Sequence, residues 1–203
     1  MNVMKTDICV IGAGSGGLSV AAGAVQMGAK VVLIEGHKMG GDCLNFGCVP
    51  SKALIAAGKQ AHAMGSGARF GITPVKPKVD YAKAKDHVHS VIDTIAPLDS
   101  QERFEGLGVT VIRDYGKFIS ETQVQAGDQI IQARRFVIAT GSSPSYPKVW
   151  DELGDRLIVN DDVFDWTDLP KTAAVFGPGV IGLVLGQALS RLGVDVAVFG
   201  RGG

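Results

Sequence analysis

Cysteine is scarce in this 203-residue chain, yet two of its three cysteines share one short segment, GGDCLNFGCVPSK, at residues 40–52. Four residues separate Cys43 from Cys48, a spacing unlike the CxxC of a zinc ribbon or a thioredoxin-type site. Three cysteines exclude a disulfide framework. The apolar N-terminal stretch is broken by glycines and preceded by Asp7 rather than by basic residues, so neither a signal peptide nor a membrane span is expected. A cytoplasmic, reducing compartment follows, and there a stable structural disulfide is unusual. A Cys43–Cys48 bond is therefore expected to turn over rather than to staple the fold. Two structural thiols, or half of a metal site, are the alternatives. Cys9 lies inside an apolar run and reads as a buried, inert thiol.

Ordered elements must hold such a pair in place, and the chain supplies them twice. Residues Thr6–Glu35 and Thr172–Gly200 align without gaps at an offset of 165, with Gly12, Gly14 and Gly17 falling on Gly177, Gly179 and Gly182, and Gly28 on Gly193. Each copy reads as a short apolar strand, a G-x-G-x-x-G turn, a helix of small and apolar residues and a second strand, the context this motif needs. The first glycine permits the tight turn, the second lets backbone approach a pyrophosphate, and the third lets helix pack close on strand. The helix N-terminus adds N–H donors and a positive dipole end. Two placed copies imply two dinucleotide sites; two purely structural units are the alternative.

The residue ending the second strand separates the copies. Copy one has Glu35, near the position of a ribose-binding acid. Copy two has Gly200 followed by Arg201. A carboxylate about 4 Å from a 2′-phosphate would cost on the order of 1–4 kcal/mol. Loss of the acid and gain of an arginine therefore favour NADPH over NADH at the second site, the alternative being a solvated loop arginine.

Between the copies, VPSKALIAAGKQAHAM reads as a helix from about Ser51, with Ser51 as N-cap and Pro50 restricting the approach. DYAKAKDHVHSVIDTIAPLDSQERFEGLG reads as one long helix kinked at Pro97. His87 and His89, two apart on it, do not share a face and read as surface residues. VTVIRDYGKFIS, TQVQAG and QIIQARRFVIATG carry strand patterns between turns and suggest a small antiparallel meander. The expected organisation is an α/β fold of two Rossmann-like dinucleotide-binding units with that meander, the second unit incomplete, divided as residues 1–148 and a linker plus first βαβ at 149–203. Formal net charge is zero with no Lys/Arg cluster, so neither nucleic acid nor an anionic membrane is an expected partner.

Together GAGSGG, GGDCLNFGCVPSKAL, YGKF, ATGSSP and GPGVIGLVLG resemble the class I pyridine nucleotide–disulfide oxidoreductases, the flavoprotein family of dihydrolipoamide dehydrogenase, glutathione reductase and mercuric reductase. The resemblance covers the chain and places it in the N-terminal portion of such an enzyme. It implies FAD on the first unit, through Gly12, Gly14, Gly17 and Glu35, with Gly41 and Asp42 as further contacts. Gly116 matches an adenine-side backbone contact, and Thr140 and Gly141 a segment near the flavin. NAD(P)H is implied at Gly177, Gly179, Gly182 and Arg201. Cys43 matches the interchange thiol, Cys48 the thiol against the flavin, and Lys52 a lysine near the flavin N5. A pair cycling between dithiol and disulfide is the relay that a disulfide substrate needs. The thiolate is the reactive form, and a helix N-terminus favours it; a cation such as Lys52 offsets developing negative charge.

The implied activity is FAD- and NAD(P)H-dependent reduction or oxidation of a small-molecule or protein-bound disulfide or dithiol, by a homodimer when full length. A mercuric reductase-like metal-ion reductase and a non-catalytic FAD-binding module are the alternatives. The largest departure from the family is that the chain ends just after the second βαβ begins, so it is expected to be an N-terminal fragment. Val184 replaces the glutamate that pairs, in many members, with the lysine matching Lys52, and Asp42 stands where many have threonine. The acid/base His–Glu pair of the family is matched by none of His37, His62, His87 or His89.

Overall fold

The computed structural model describes residues 2–200. Packing resolves two compact units: residues up to Asn45 with Asp93–Ser143, and Phe46–Ile92 with residues from Pro144 onward. They interleave along the chain, whereas the expected division by cofactor has a single break after residue 148.

The first unit is built on a six-stranded sheet. Its strands are β1 (Asn2–Ile11), β2 (Val31–Ile34), β3 (Thr110–Ile112), β4 (Gly116–Ser120), β5 (Gln123–Ala126) and β6 (Gln129–Ile138), in the order β3-β2-β1-β6-β5-β4. β1 pairs in parallel with both β2 and β6, the latter from Asn2↔Gln129 to Ile11↔Ile138. Helix α1 (Ser15–Gln26) links β1 to β2. Alternation along the strands divides the core. Val10, Val31 and Leu33 pack with Leu18 and Ala21 of α1 and with Phe104, while Cys9, Ile11, Val32 and Ile34 join Ile112, Val124 and Ile131 in a separate cluster. β2 is thus buried along its whole length, as expected of a parallel central strand. Each fully buried Val, Leu or Ile there contributes roughly 1.5–3 kcal/mol.

The antiparallel meander exists, but it is not a separate layer. β4 pairs with β5 and β5 with β6, both antiparallel, and β6 continues the parallel sheet through β1. VTVIRDYGKFIS splits at Arg113–Tyr115 into β3, which joins β2 in parallel, and β4.

The second unit holds α3 (Cys48–Gly65), most of α4 (Tyr81–Ile95), β7 (Thr172–Phe176), α6 (Val180–Arg191) and β8 (Asp195–Phe199). β7 and β8 pair in parallel. α3 lies against α6, where Gly58 allows the approach: a Cβ there would stand 3.0 Å from the Ala188 carbonyl oxygen. Leu54, Tyr81, Val88, Phe164 and Leu189 fill the core between these elements, and the buried Tyr81 hydroxyl donates to the Val163 carbonyl at 3.2 Å.

Two helix expectations change. α3 starts at Cys48 with Gly47 as N-cap, so Ser51 lies inside the first turn, donating to the Cys48 carbonyl at 3.2 Å. Pro50 is tolerated because first-turn N–H groups have no intrahelical partner. The long helix is broken rather than kinked. α4 ends at Ile95, Ala96–Asp99 forms a 3-10 turn, and α5 (Gln101–Gly106) restarts with Ser100 as N-cap, its hydroxyl accepting from the Arg103 N–H.

Candidate functional site

In the first unit the glycine turn is shaped by backbone contacts that no side chain would permit. Gly12 has φ +104°, and a Cβ on it would fall 2.2 Å from the Ala139 carbonyl oxygen and 3.1 Å from the Thr140 nitrogen. A Cβ at Gly17 would fall 1.8 Å from the Gly12 oxygen, so the third glycine sets the approach of α1 to β1. Gly14 is the N-cap of α1 and makes no side-chain cap, and the first turn of α1 carries no acid. A helix N-terminus without such caps can receive an anion.

The GGDC turn folds back onto this loop. Gly40 donates to the Ala13 carbonyl at 2.9 Å, and a Cβ at Gly41 (φ +57°) would meet the Gly14 Cα at 2.6 Å. A cradle of glycine backbone results, with the Gly41 Cα 3.9 Å from where a Cβ on Gly14 would stand. Asn45 holds the turn: its amide donates to the Met39 carbonyl at 3.0 Å and the Gly41 carbonyl at 2.8 Å. The sequence reading missed Asn45, although its place at the end of α2 (Gly41–Asn45), one turn after Gly41, was the available signal.

Glu35 lies beside the cradle, fixed by its own backbone. One carboxylate oxygen accepts from the Ala13 N–H at 2.6 Å and the other from the His37 N–H at 2.7 Å. Arg113 reaches over from the end of β3 to the Glu35 and His37 carbonyls. The Tyr115 ring lies on Gly36, 2.6 Å from where a Cβ would stand; this ring too was missed. Gly116 follows, with Ile11 and Ile34 side chains within 3.6 Å of its would-be Cβ. The structure therefore brings Gly12, Gly14, Gly17, Glu35, Gly41 and the Thr140 backbone into one site, with Gly116 at its edge. Gly141 (φ +68°) has nothing within 4 Å of its would-be Cβ, and Asp42 is exposed.

The second unit repeats the glycine turn, though a Cβ at Gly177 or Gly179 would meet nothing within 4 Å. Gly177 has φ +115°, and a Cβ at Gly182 would fall 2.2 Å from the Gly177 oxygen. Gly177 N–H donates to the Phe199 carbonyl at 2.9 Å, as Gly12 does to Ile34 at 2.8 Å. Gly179 caps α6 with φ −76° and ψ 180°, against −79° and −177° at Gly14. Both helices end in a Schellman motif: Ala29 donates to Ala24 and Val194 to Leu189, with Gly28 and Gly193 at positive φ. Gly177, Gly179 and Gly182 thus meet as expected. Arg201 lies outside the described residues.

Cys43 is half-buried within α2, in the first unit, and Cys48 is exposed at the first position of α3, in the second. Lys52, also exposed, stands four residues on from Cys48, on the same helix face. Val184 is half-buried on α6 and offers no charge to a lysine. Cys9 has no exposed surface, and burial pushes its thiol up to about 12. No helix among the described residues is long and apolar enough to cross a membrane.

Residues 6–202 match the family described as pyridine nucleotide-disulphide oxidoreductase. Among curated relatives, a mercuric reductase of Lysinibacillus sphaericus is 30% identical over 201 residues, covering 99% of this chain and 37% of its own length. A dihydrolipoyl dehydrogenase of Cupriavidus necator is 34% identical over 209 residues, covering 95% of this chain and 43% of its own. The chain thus spans about two fifths of these relatives. A solved structure, the Cu(II) complex of the HOCl-induced flavoprotein disulfide reductase RclA from Escherichia coli, shares the fold. Its TM-score is 0.78 at 21% identity, over 95% of this chain and 41% of that one.

Proposed function

We propose, from the premise that this chain belongs to the pyridine nucleotide-disulphide oxidoreductase family, that it carries the cofactor cradles and thiol pair of an FAD-dependent disulfide or dithiol oxidoreductase. Residues 1–148 would hold FAD and the unit beginning near Thr172 would take NAD(P)H. The observation supporting this is the pair of matched glycine cradles, only the first of which carries an acid bonded to its own turn. A dinucleotide pyrophosphate fits a surface built of N–H groups and stripped of Cβ atoms.

Gly12, Gly14, Gly17 and Gly41 would admit the FAD pyrophosphate, and Glu35 would present its remaining lone pairs to the ribose hydroxyls. FAD, when bound, supplies the exchange of an electron pair between the nicotinamide and a disulfide. The chain's own residues carry the sulfur steps. A Cys43 thiolate attacks one sulfur of the substrate disulfide, forming a mixed disulfide and releasing one substrate thiolate. Cys48 thiolate then attacks the Cys43 sulfur, releasing the second, and the Cys43–Cys48 disulfide remains, the substrate having gained the two electrons that the pair lost. Lys52, one turn from Cys48, offsets negative charge there. A mercuric reductase-like reading assigns the same thiols to a metal ion, and relatives of both names match this chain.

Anaerobic NADPH titration of the FAD-loaded protein that carries this chain tests the reading. A long-wavelength absorbance band is expected at two-electron reduction, absent in Cys48→Ser. A band indifferent to both cysteines would instead support a non-catalytic FAD-binding module. Comparing a lipoamide-type disulfide with mercuric ion as acceptor then separates the two enzyme readings. The proposed partners are that substrate and a second copy of the full-length protein.

A further inference from the structure

Among the positions at which the two cradles differ, one pair touches in each. In the first, the Ala13 N–H donates to the Glu35 carboxylate at 2.6 Å. The equivalent of Ala13 in the second cradle is Pro178, which has no N–H to give. The equivalent of Glu35 is Gly200, which has no side chain to receive one. A Cβ at Gly200 would stand 2.8 Å from Pro178 Cγ and 3.2 Å from its Cδ. The proline ring therefore fills the place through which an acidic side chain would leave the end of β8. A ring cannot swing aside as a flexible side chain does, so relief would require backbone movement.

We propose that Pro178 is a specificity-determining residue of the second cradle. Together with Gly200 it removes the carboxylate that would bond a ribose 2′,3′-diol, leaving the cradle open to an adenosine ribose that carries a 2′-phosphate. Position 178 thereby controls what position 200 can do: an acid introduced at 200 has neither room nor an N–H to orient it while Pro178 stays. This rests on the reading of the second cradle as a dinucleotide site. Backbone amides around the glycine turn handle the shared pyrophosphate, whichever nucleotide enters. Discrimination is left to the end of β8, where a carboxylate repels a phosphate and its absence does not.

The test uses the FAD-loaded protein that carries this chain, with ADP-ribose and 2′-phospho-ADP-ribose as probes read by titration calorimetry. Neither carries nicotinamide, so binding is measured without turnover. The unmodified protein is expected to bind the phosphorylated probe at least as tightly as ADP-ribose. Gly200→Glu alone should weaken that probe without strengthening ADP-ribose. Pro178→Ala with Gly200→Glu should strengthen ADP-ribose on the order of ten-fold and make it the preferred probe. An unmodified protein that prefers ADP-ribose, or a Gly200→Glu variant that gains ADP-ribose as fully as the double variant, overturns the proposal. If neither probe binds while FAD is retained, the dinucleotide reading itself fails and the proposal falls with it. Should Gly200→Glu not fold, the reverse exchange in the first cradle decides. Ala13→Pro should lower FAD retention, and adding Glu35→Gly should restore part of it. Losses that simply add would overturn the coupling of the two positions.

Discussion

Cys9 differs from the other two cysteines in its surroundings, being the buried one. It sits in the middle of β1, packed among Ile11, Val32 and Ile34 with no exposed surface, and burial pushes its thiol up to about 12. An unfolded chain ionises the same thiol near 8.5. Between those values the unfolded state binds fewer protons than the folded one, so stability falls as pH rises, by at most about 1.4 kcal/mol per pH unit from this group. Tyr81, also raised by burial, adds an effect of the same sign. The difference between the unmodified protein and Cys9→Ala, followed by denaturant unfolding from pH 8 to about 11, isolates the Cys9 part. The steeper decline is expected in the unmodified protein. Individual residues were readable in the sequence when their role followed from type alone, as with buried Cys9 and the acid at Glu35. The bond from Ala13 to Glu35, and the contact of Pro178 with Gly200, join positions far apart in the sequence and needed coordinates. Setting the two copies side by side at 13/178 and 35/200 was the signal available beforehand.

The glycines of one helix turn are not equivalent. A Cβ at Gly17 would collide with the Gly12 oxygen at 1.8 Å, whereas at Gly16 nothing lies within 4 Å. Gly17→Ala is therefore expected to destabilise the protein by about 1–3 kcal/mol through forced displacement of α1 from β1. Gly16→Ala should be neutral or slightly stabilising, since alanine is the better helix former. Thermal unfolding of the two variants checks the contrast, and equal losses would contradict the packing argument. The repeated strand–turn–helix units were legible because the first and third glycines of each turn, and the glycine after each helix, answer to a positive φ or a close contact. Helix limits were harder to read. Gly47 caps α3 without a side chain, so the serine that looked like a cap is inside the helix. The break after Ile95 needs both Pro97 and the Ser100 cap, where Pro97 alone suggested a bend. The meander was visible as three strand patterns, but its union with the parallel sheet depends on β6 pairing with β1, which alternation within either strand does not encode.

At the scale of the molecule, the second unit leaves much apolar surface uncovered. β7 and β8 form a sheet of only two strands, and a pair that small is marginal without further cover. Phe176 and Phe199 stack at 5.1 Å, remaining 58% and 49% exposed, and Val180, Ile181 and Val198 are exposed as well. Exposed apolar surface of this kind binds other apolar surface. Residues 1–203 expressed alone are thus expected to raise the fluorescence of an apolar dye such as ANS and to self-associate as concentration increases. Phe176→Ser with Phe199→Ser should lower both, which dye titration and light scattering would show; unchanged dye binding would place the sticky surface elsewhere.

The ladder between β1 and β6 has a consequence for how the protein is made. Asn2 pairs with Gln129, so during synthesis β1 waits for 127 further residues before its second neighbour exists. At about 5–20 residues per second, that wait lasts roughly 6–25 seconds. β2 arrives early and can cover one side, but the other edge of β1 stays unpaired until β6 emerges. During synthesis, then, the nascent sheet is a target for chaperones that hold extended apolar segments.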